Sequence, residues 1–244
     1  MQSILMISGW GIGTQPLIPL QQNLIKHGYQ VELINIFNIF ETTPLNKHLR
    51  LAEQFDVILG WSLGGQIATF LVDQLYKQTG KLKTLITLAS NPRFVSSEDW
   101  NVGMEQMSFA SLKESFEKDP VMTLKRFYYL VTQGSQTAKQ DWQKLQNFIQ
   151  IEDLLIQRYA LEMWEKMNCV ELLKKFSGQQ LHVFFEQDGL VPHKVIDLIK
   201  LFDAQCLKLH SINGAHGYAL FQPNLMSDKI INYLKQLSKS TVPI

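Results

Sequence analysis

The stretch Asp56-Val57-Ile58-Leu59-Gly60-Trp61-Ser62-Leu63-Gly64-Gly65 decides how this chain is read. A short apolar run ends in Gly-x-Ser-x-Gly, and Ile67, Phe70, Leu71 and Leu75 follow at helical spacing. The pattern predicts a strand, a sharp turn and a helix, with a serine at the turn. Such an elbow lifts the serine hydroxyl clear of the sheet. Flanking glycines remove side chains that would collide with the strand or the helix. A helix opening at Leu63 aims free backbone N–H groups beside the hydroxyl. A glycine-rich turn that only packs a helix closely on a sheet shares part of this pattern. The strand before the serine and the helix after it favour a nucleophile.

Outward from the elbow, strands and helices alternate. Ile4–Ile7 is an apolar run that ends in the turn-rich Ser8-Gly9-Trp10-Gly11. A helix is expected from Pro16 to His27, with Leu17, Leu20, Leu24 and Ile25 inward and Gly28 at its end. Tyr29–Ile34 is a second strand, and residues 35–40 carry no clear pattern. A short polar helix over 46–54 leads to the strand 57–61. The elbow helix runs to about Lys77, near Gly80, and Leu82–Leu88 is another strand. This alternation predicts a mostly parallel sheet covered on both faces.

The rhythm stops after Ala89-Ser90-Asn91-Pro92. From Val95 to Phe176 no strand is expected. Helices are read over 108–117, 120–133, 136–150 and 151–176, with Phe109, Phe116, Phe127, Trp142, Leu155 and Trp164 among residues spaced for partly buried faces. The sheet resumes with Leu181–Phe185, a helix Pro192–Phe202, a strand Cys206–Ile212 and a last helix Pro223–Leu237. The expected organisation is a sheet-and-helix core over 1–94 and 177–244, with a helical cap over 95–176 inserted between strands.

A chain of 244 residues with 45% hydrophobic residues can bury one sizeable core. A net charge of +1 argues for neither nucleic acid nor a membrane surface. Cys169 and Cys206 form no C-x-x-C pattern and are read as core thiols of a reduced, cytoplasmic protein. No leader pattern or spanning run is read, no cofactor or metal is expected, and a monomer is expected.

A serine hydroxyl needs a base to take its proton, and the base needs an orienting carboxylate. In open α/β sheets such residues gather beyond the carboxyl ends of strands. Of six histidines, His182 and His210 fall inside strands, His27, His48 and His193 lie in or near helices, and His216 follows the last strand in Asn213-Gly214-Ala215-His216-Gly217. A loop histidine is otherwise ordinary surface decoration. Asp188 follows the strand Leu181–Phe185 in an Asp-Gly turn, with Glu186 as its rival. Ser62, Asp188, His216 is the chain order of α/β-hydrolases. Oxyanion donors are expected from the N–H groups of Leu63 and Trp10. Trp10, Trp61, Leu63 and Phe127 are expected to line an apolar acyl slot between sheet and cap.

Ser8-Gly9-Trp10-Gly11, Gly60-Trp61-Ser62-Leu63-Gly64-Gly65, Ala89-Ser90-Asn91-Pro92-Arg93-Phe94, Asp99-Trp100, Asp188-Gly189-Leu190-Val191-Pro192 and Gly214-Ala215-His216 resemble the biotin-pathway carboxylesterases. These are the pimeloyl-acyl-carrier-protein methyl ester esterases of the α/β-hydrolase superfamily. The resemblance covers nearly the full length, with Arg126-Phe127 and Thr137-Ala138-Lys139-Gln140-Asp141 in matching order in the cap. It implies an α/β-hydrolase fold, and hydrolysis of the methyl ester of a pimeloyl group carried by an acyl-carrier protein. It implies carrier contacts at Arg126 and Lys139, although an ordinary solvated helix face would look the same. Met122 and Gln143 stand where further arginines are usual, Ser8 where a histidine is, and Asn35–Thr43 in place of an Asp-x-Pro-Gly-x-Gly segment. A broad short-chain carboxylesterase and, further off, a non-enzymatic binding protein of the same fold are the alternatives.

Overall fold

A computed structural model of the chain describes residues 1–148, 154–204 and 206–240. Among these, six strands form one parallel sheet: β1 (Ser3–Ile7), β2 (Gln30–Ile34), β3 (Val57–Trp61), β4 (Thr84–Leu88), β5 (Gln180–Phe185) and β6 (Leu207–Ile212). Their order across the sheet is β2-β1-β3-β4-β5-β6. The first half is covered by α1 (Ile18–Lys26), α2 (Thr42–Glu53) and α3 (Leu63–Thr79). Between β4 and β5 come α4 (Gln106–Lys118), α5 (Pro120–Thr132), α6 (Ala138–Gln146), α7 (Leu154–Lys166) and α8 (Val170–Lys175). α9 (Val195–Ile199), α10 (Tyr218–Phe221) and α11 (Pro223–Ser240) complete the chain. This is the α/β-hydrolase fold.

The strand order explains where a site can form. The chain runs outward from β1 to β2, then returns to the other side of β1 at β3. Loops leaving β1 and β3 therefore part in opposite directions and open a crevice at their carboxyl ends. The central strands β1, β3 and β5 are buried along their whole length. This is why they read as continuous apolar runs instead of alternating ones. α3 packs on β3, β4 and β1 and buries Ile67, Ala68, Leu71, Val72 and Leu75. Each fully buried aliphatic of this size contributes about 1.5–3 kcal/mol. α3 ends at Gly80 in the left-handed conformation that stops many helices.

Several expectations need correction. Ile25 is exposed, not inward, and so is Leu155. α2 begins at Thr42, because Pro44 is compatible with a first helical turn. The helix expected over Pro192–Phe202 shrinks to Val195–Ile199. Its flanks are wound as tight turns, with Val195 N–H on Pro192 O and Phe202 N–H on Ile199 O. The helix expected over 151–176 breaks after Lys166. Cys169 N–H is drawn onto Pro92 O of the loop after β4, and the Asn168 side chain caps Val170 N–H. The helix expected over 136–150 is shorter, Ala138–Gln146, and ends in a turn at Asn147 and Phe148; the remainder of that stretch and the start of the 151–176 helix lie outside the described residues. No strand forms among the described residues of 95–176; two isolated bridges, Val95–Met104 and Ser97–Trp100, are the nearest approach.

Candidate active site

Ser62 adopts φ 55°, ψ −124°, a conformation that side-chain-bearing residues rarely take. The elbow is held by its own backbone: Ser62 N–H bonds to Leu88 O at 2.8 Å, and Gly65 N–H to Ser62 O at 2.9 Å. Close approach dictates the glycines. A Cβ on Gly60 would lie 2.0 Å from Gly64 O, and one on Gly64 would lie 2.2 Å from Ser8 O. The second contact shows how tightly the loop after β1 presses on the start of α3. Leu63 is the first residue of α3, so its N–H is among those an α-helix leaves without an intrahelical acceptor.

Three side chains from three loops meet beside this turn. His216 Nε2 lies 3.0 Å from Ser62 Oγ, and His216 Nδ1 lies 2.8 Å from Asp188 Oδ2. The other Asp188 oxygen accepts the N–H groups of Leu190 and Val191, both at 2.8 Å. The carboxylate is thus anchored by its own loop, which frees one oxygen for histidine. The loops that carry the acid and the base are tied together, with Glu186 N–H on Ile212 O and Gln187 N–H on Gly214 O. Glu186 is exposed and accepts from Ser211, which His193 also contacts, so it does not reach His216. His182 is spoken for elsewhere, between Thr87 Oγ1 and Gln180 Oε1 in the sheet.

The aromatic residues divide into two groups. Trp10 meets Phe127 edge-on at 4.6 Å between ring centres, and Trp164 and Phe116 complete the cluster. Trp61 turns elsewhere: its ring lies 4.9 Å from that of His216, and its Nε1–H donates to the His216 carbonyl. It braces the histidine loop from below. Trp164, read from the sequence only as a core aromatic, packs against Trp10, Phe94, Phe109 and Phe127, and its indole N–H has no partner among the described residues. Ser62, Leu63, Trp10 and Phe127 are each at most 2% exposed, so the inserted helices close over the elbow.

Ser8 and Asn35, the positions of two departures from the family pattern, find each other: Ser8 Oγ donates to Asn35 Oδ1 at 2.8 Å. They stand at the carboxyl ends of neighbouring strands, and that adjacency was the available clue. On the outside, Arg126 is exposed on α5 and lines an apolar groove with Met122, Tyr129, Leu130 and Trp142. Lys139 is exposed on α6, outside that lining. Neither forms an ion pair among the described residues, whereas Lys144 is engaged by the buried Asp141.

No protein-family model matches the chain. A pimeloyl-[acyl-carrier protein] methyl ester esterase from Citrobacter koseri is 26% identical over 208 residues, spanning 80% of this chain and 79% of that one. A biotin biosynthesis bifunctional protein, BioHC, from Teredinibacter turnerae is 32% identical over 191 residues, or 73% of this chain and 33% of that one. Among solved structures, an esterase from Exiguobacterium antarcticum superposes with a TM-score of 0.78 at 16% identity, over 96% of this chain and 92% of that one. Fold and relatives place the chain among the ester hydrolases of the α/β-hydrolase fold. Within that class its sequence resembles the pimeloyl-[acyl-carrier protein] methyl ester esterases.

Proposed function

We propose that the chain is a serine carboxylesterase acting on the methyl ester of pimeloyl-acyl-carrier protein, with Ser62, His216 and Asp188 as its catalytic residues. The observation that carries this reading is the unbroken hydrogen-bond relay Ser62–His216–Asp188 at the mouth of a helix. His216 Nε2 takes the Ser62 proton as Oγ bonds to the ester carbonyl carbon. The carbonyl electron pair moves onto oxygen, held by the N–H groups of Leu63 and Trp10. That pair then returns, the C–OCH3 bond breaks, and His216 gives its proton to departing methanol. A water deprotonated by His216 attacks the acyl-enzyme, and collapse frees the carboxylate and Ser62. Asp188 keeps the imidazole in the tautomer with its proton on Nδ1 and stabilises the imidazolium.

The substrate assignment rests on the named relatives and on charge. Residues 120–146 carry four bases and one acid, although the chain as a whole is nearly neutral. The exposed α4 and α7 charges instead neutralise each other, as in Lys113–Glu165 and Arg158–Glu117. An acidic carrier would meet the α5–α6 face near Arg126 and Lys139, with the acyl chain reaching inward past Phe127 and Trp10. Trp61 serves this reading through His216. The protein would work as a monomer in the cytoplasm, and no helix among the described residues is long and apolar enough to cross a membrane. The absence of arginine at Met122 and Gln143 favours a second reading, a carboxylesterase for free short-chain esters.

Ser62→Ala should abolish p-nitrophenyl butyrate hydrolysis and fluorophosphonate labelling while leaving the melting temperature within a few degrees. Undiminished hydrolysis would overturn the catalytic assignment. Restored biotin-independent growth of a host lacking its own esterase tests the substrate, and failure to restore it with active protein favours the short-chain reading.

A further inference from the structure

The loop Ser8-Gly9-Trp10-Gly11 is held from two sides. From the core, Ile34 O accepts Ser8 N–H and Asn35 accepts the Ser8 hydroxyl. From the inserted helices, Gln157 of α7 takes hold twice. Its side-chain Oε1 accepts Gly11 N–H at 2.8 Å, and its backbone carbonyl accepts Trp10 Nε1–H at 3.0 Å. Tyr128 of α5 adds a third bond, donating its hydroxyl to Gly11 O. Gln157 is only 3% exposed and Tyr128 is fully buried.

The buried face of α7 otherwise consists of Ala160, Leu161, Met163 and Trp164. Packing alone asks for another apolar side chain at 157. A buried amide there makes sense because Gly11 N–H, itself buried, needs an acceptor. These bonds fix the Gly11 amide, the Gly11 carbonyl and the Trp10 indole. The Gly11 amide belongs to the peptide that follows the Trp10 α-carbon, and the indole is the side chain on that α-carbon. With Ser8 held from the core on the other side, the Trp10 N–H between them has little freedom to turn. A donor aimed at a developing oxyanion delivers its full effect only when its position is set beforehand.

We propose that Gln157 is a positioning residue that makes the oxyanion donor of Trp10 depend on the seating of the inserted helices. This rests on the reading of Trp10 as that donor. When α7 lies over the elbow, both Gln157 bonds form and the donor is aimed. When α7 lifts to admit an acyl chain, the same bonds break and the donor loses its support. The hydrolytic machinery is then complete only once the inserted helices have settled over the substrate.

Gln157→Met keeps the length and removes the side-chain acceptor. In that variant, kcat for p-nitrophenyl butyrate should fall about tenfold to a hundredfold, with KM changed by less than about threefold. The inhibition constant of phenylboronic acid, whose oxygen occupies the oxyanion position once boron bonds to serine, should rise by about the same factor. Tyr128→Phe should shift both in the same direction by a smaller factor. Unchanged kcat and boronate affinity in Gln157→Met overturn the proposal. So does a lowered melting temperature with boronate affinity intact, which is what a packing role predicts. If Gln157→Met does not fold, wild-type values in Tyr128→Phe overturn it. Ser62→Ala measured alongside separates the two levels. An inactive Ser62→Ala beside a fully active Gln157→Met defeats only this proposal, whereas an active Ser62→Ala defeats the underlying catalytic reading as well.

Discussion

The sheet core and the inserted helices handle polar groups in opposite ways. At the carboxyl ends of the strands, Ser62, Asp188 and His216 are buried and their bonds run between neighbouring loops. In the inserted helices most charges sit in solvent and pair at the surface, as Lys118 does with Glu114 and Lys166 with Glu162. Exposed pairs of this kind contribute about 0–1 kcal/mol each, so their loss or exchange is tolerated. Buried geometry does not permit such exchange. Under the proposed function, the chemistry belongs to the core and the choice of partner to the outer helices.

The sharpest break in that contrast would come from Asp188→Asn. An amide leaves the loop in place but favours the wrong imidazole tautomer, so kcat should fall by about 10⁴-fold with little change in melting temperature. Near-normal turnover would mean that the core does not own the chemistry. Next in size is Gly64→Ala. Its Cβ would meet backbone oxygens of Ile7 and Ser8 that cannot yield, and a loss of about 3 kcal/mol is expected in urea unfolding. A neutral result would place the β1 loop farther from α3 than described.

A third prediction concerns acid. His182 Nε2 lies 2.9 Å from Gln180 Oε1 and Nδ1 lies 2.7 Å from the Thr87 hydroxyl, deep within the sheet. Burial pushes its pKa from 6.5 down to about 3. Because the folded value lies below the unfolded one, the stability this provides is present above pH 6.5 and is lost as pH falls toward 3. Urea midpoints between pH 7 and 4 should therefore fall less steeply in His182→Gln than in the wild type. Equal slopes would assign acid sensitivity to other groups. The smallest effect belongs to the outer helices. Arg126→Glu with Lys139→Glu should slow a carrier-linked ester about tenfold and leave p-nitrophenyl butyrate unchanged. Equal loss on both substrates would remove partner choice from α5 and α6.

The core site was largely legible in the chain because its signals are local. Gly60, Ser62 and Gly64 announce a turn, and Asp188 and His216 each stand just past a strand, where the topology collects working residues. What stayed hidden depends on contacts across long separations. Helical periodicity showed that α7 has a buried face but not that Gln157 would reach Gly11, 146 residues earlier. The Trp61 ring meets that of His216, 155 residues later, a contact that no local pattern announces. The break after Lys166 was invisible for a similar reason: it comes from Cys169 being drawn to Pro92.

The Ser8–Asn35 bond bears on how this sequence could have been reached. Ser8 is fully buried, and its hydroxyl is held by a side chain from the adjacent strand end. Changing Asn35 alone to an apolar residue would strand that hydroxyl, at a cost of about 1–3 kcal/mol. Changing Ser8 alone would leave the Asn35 amide to find another use. A sequence that carries Ser8 without Asn35 stands at a disadvantage in stability. The two positions therefore behave as a single heritable unit: a graft that transfers one of them into a relative without the other should be less stable than a graft that carries both.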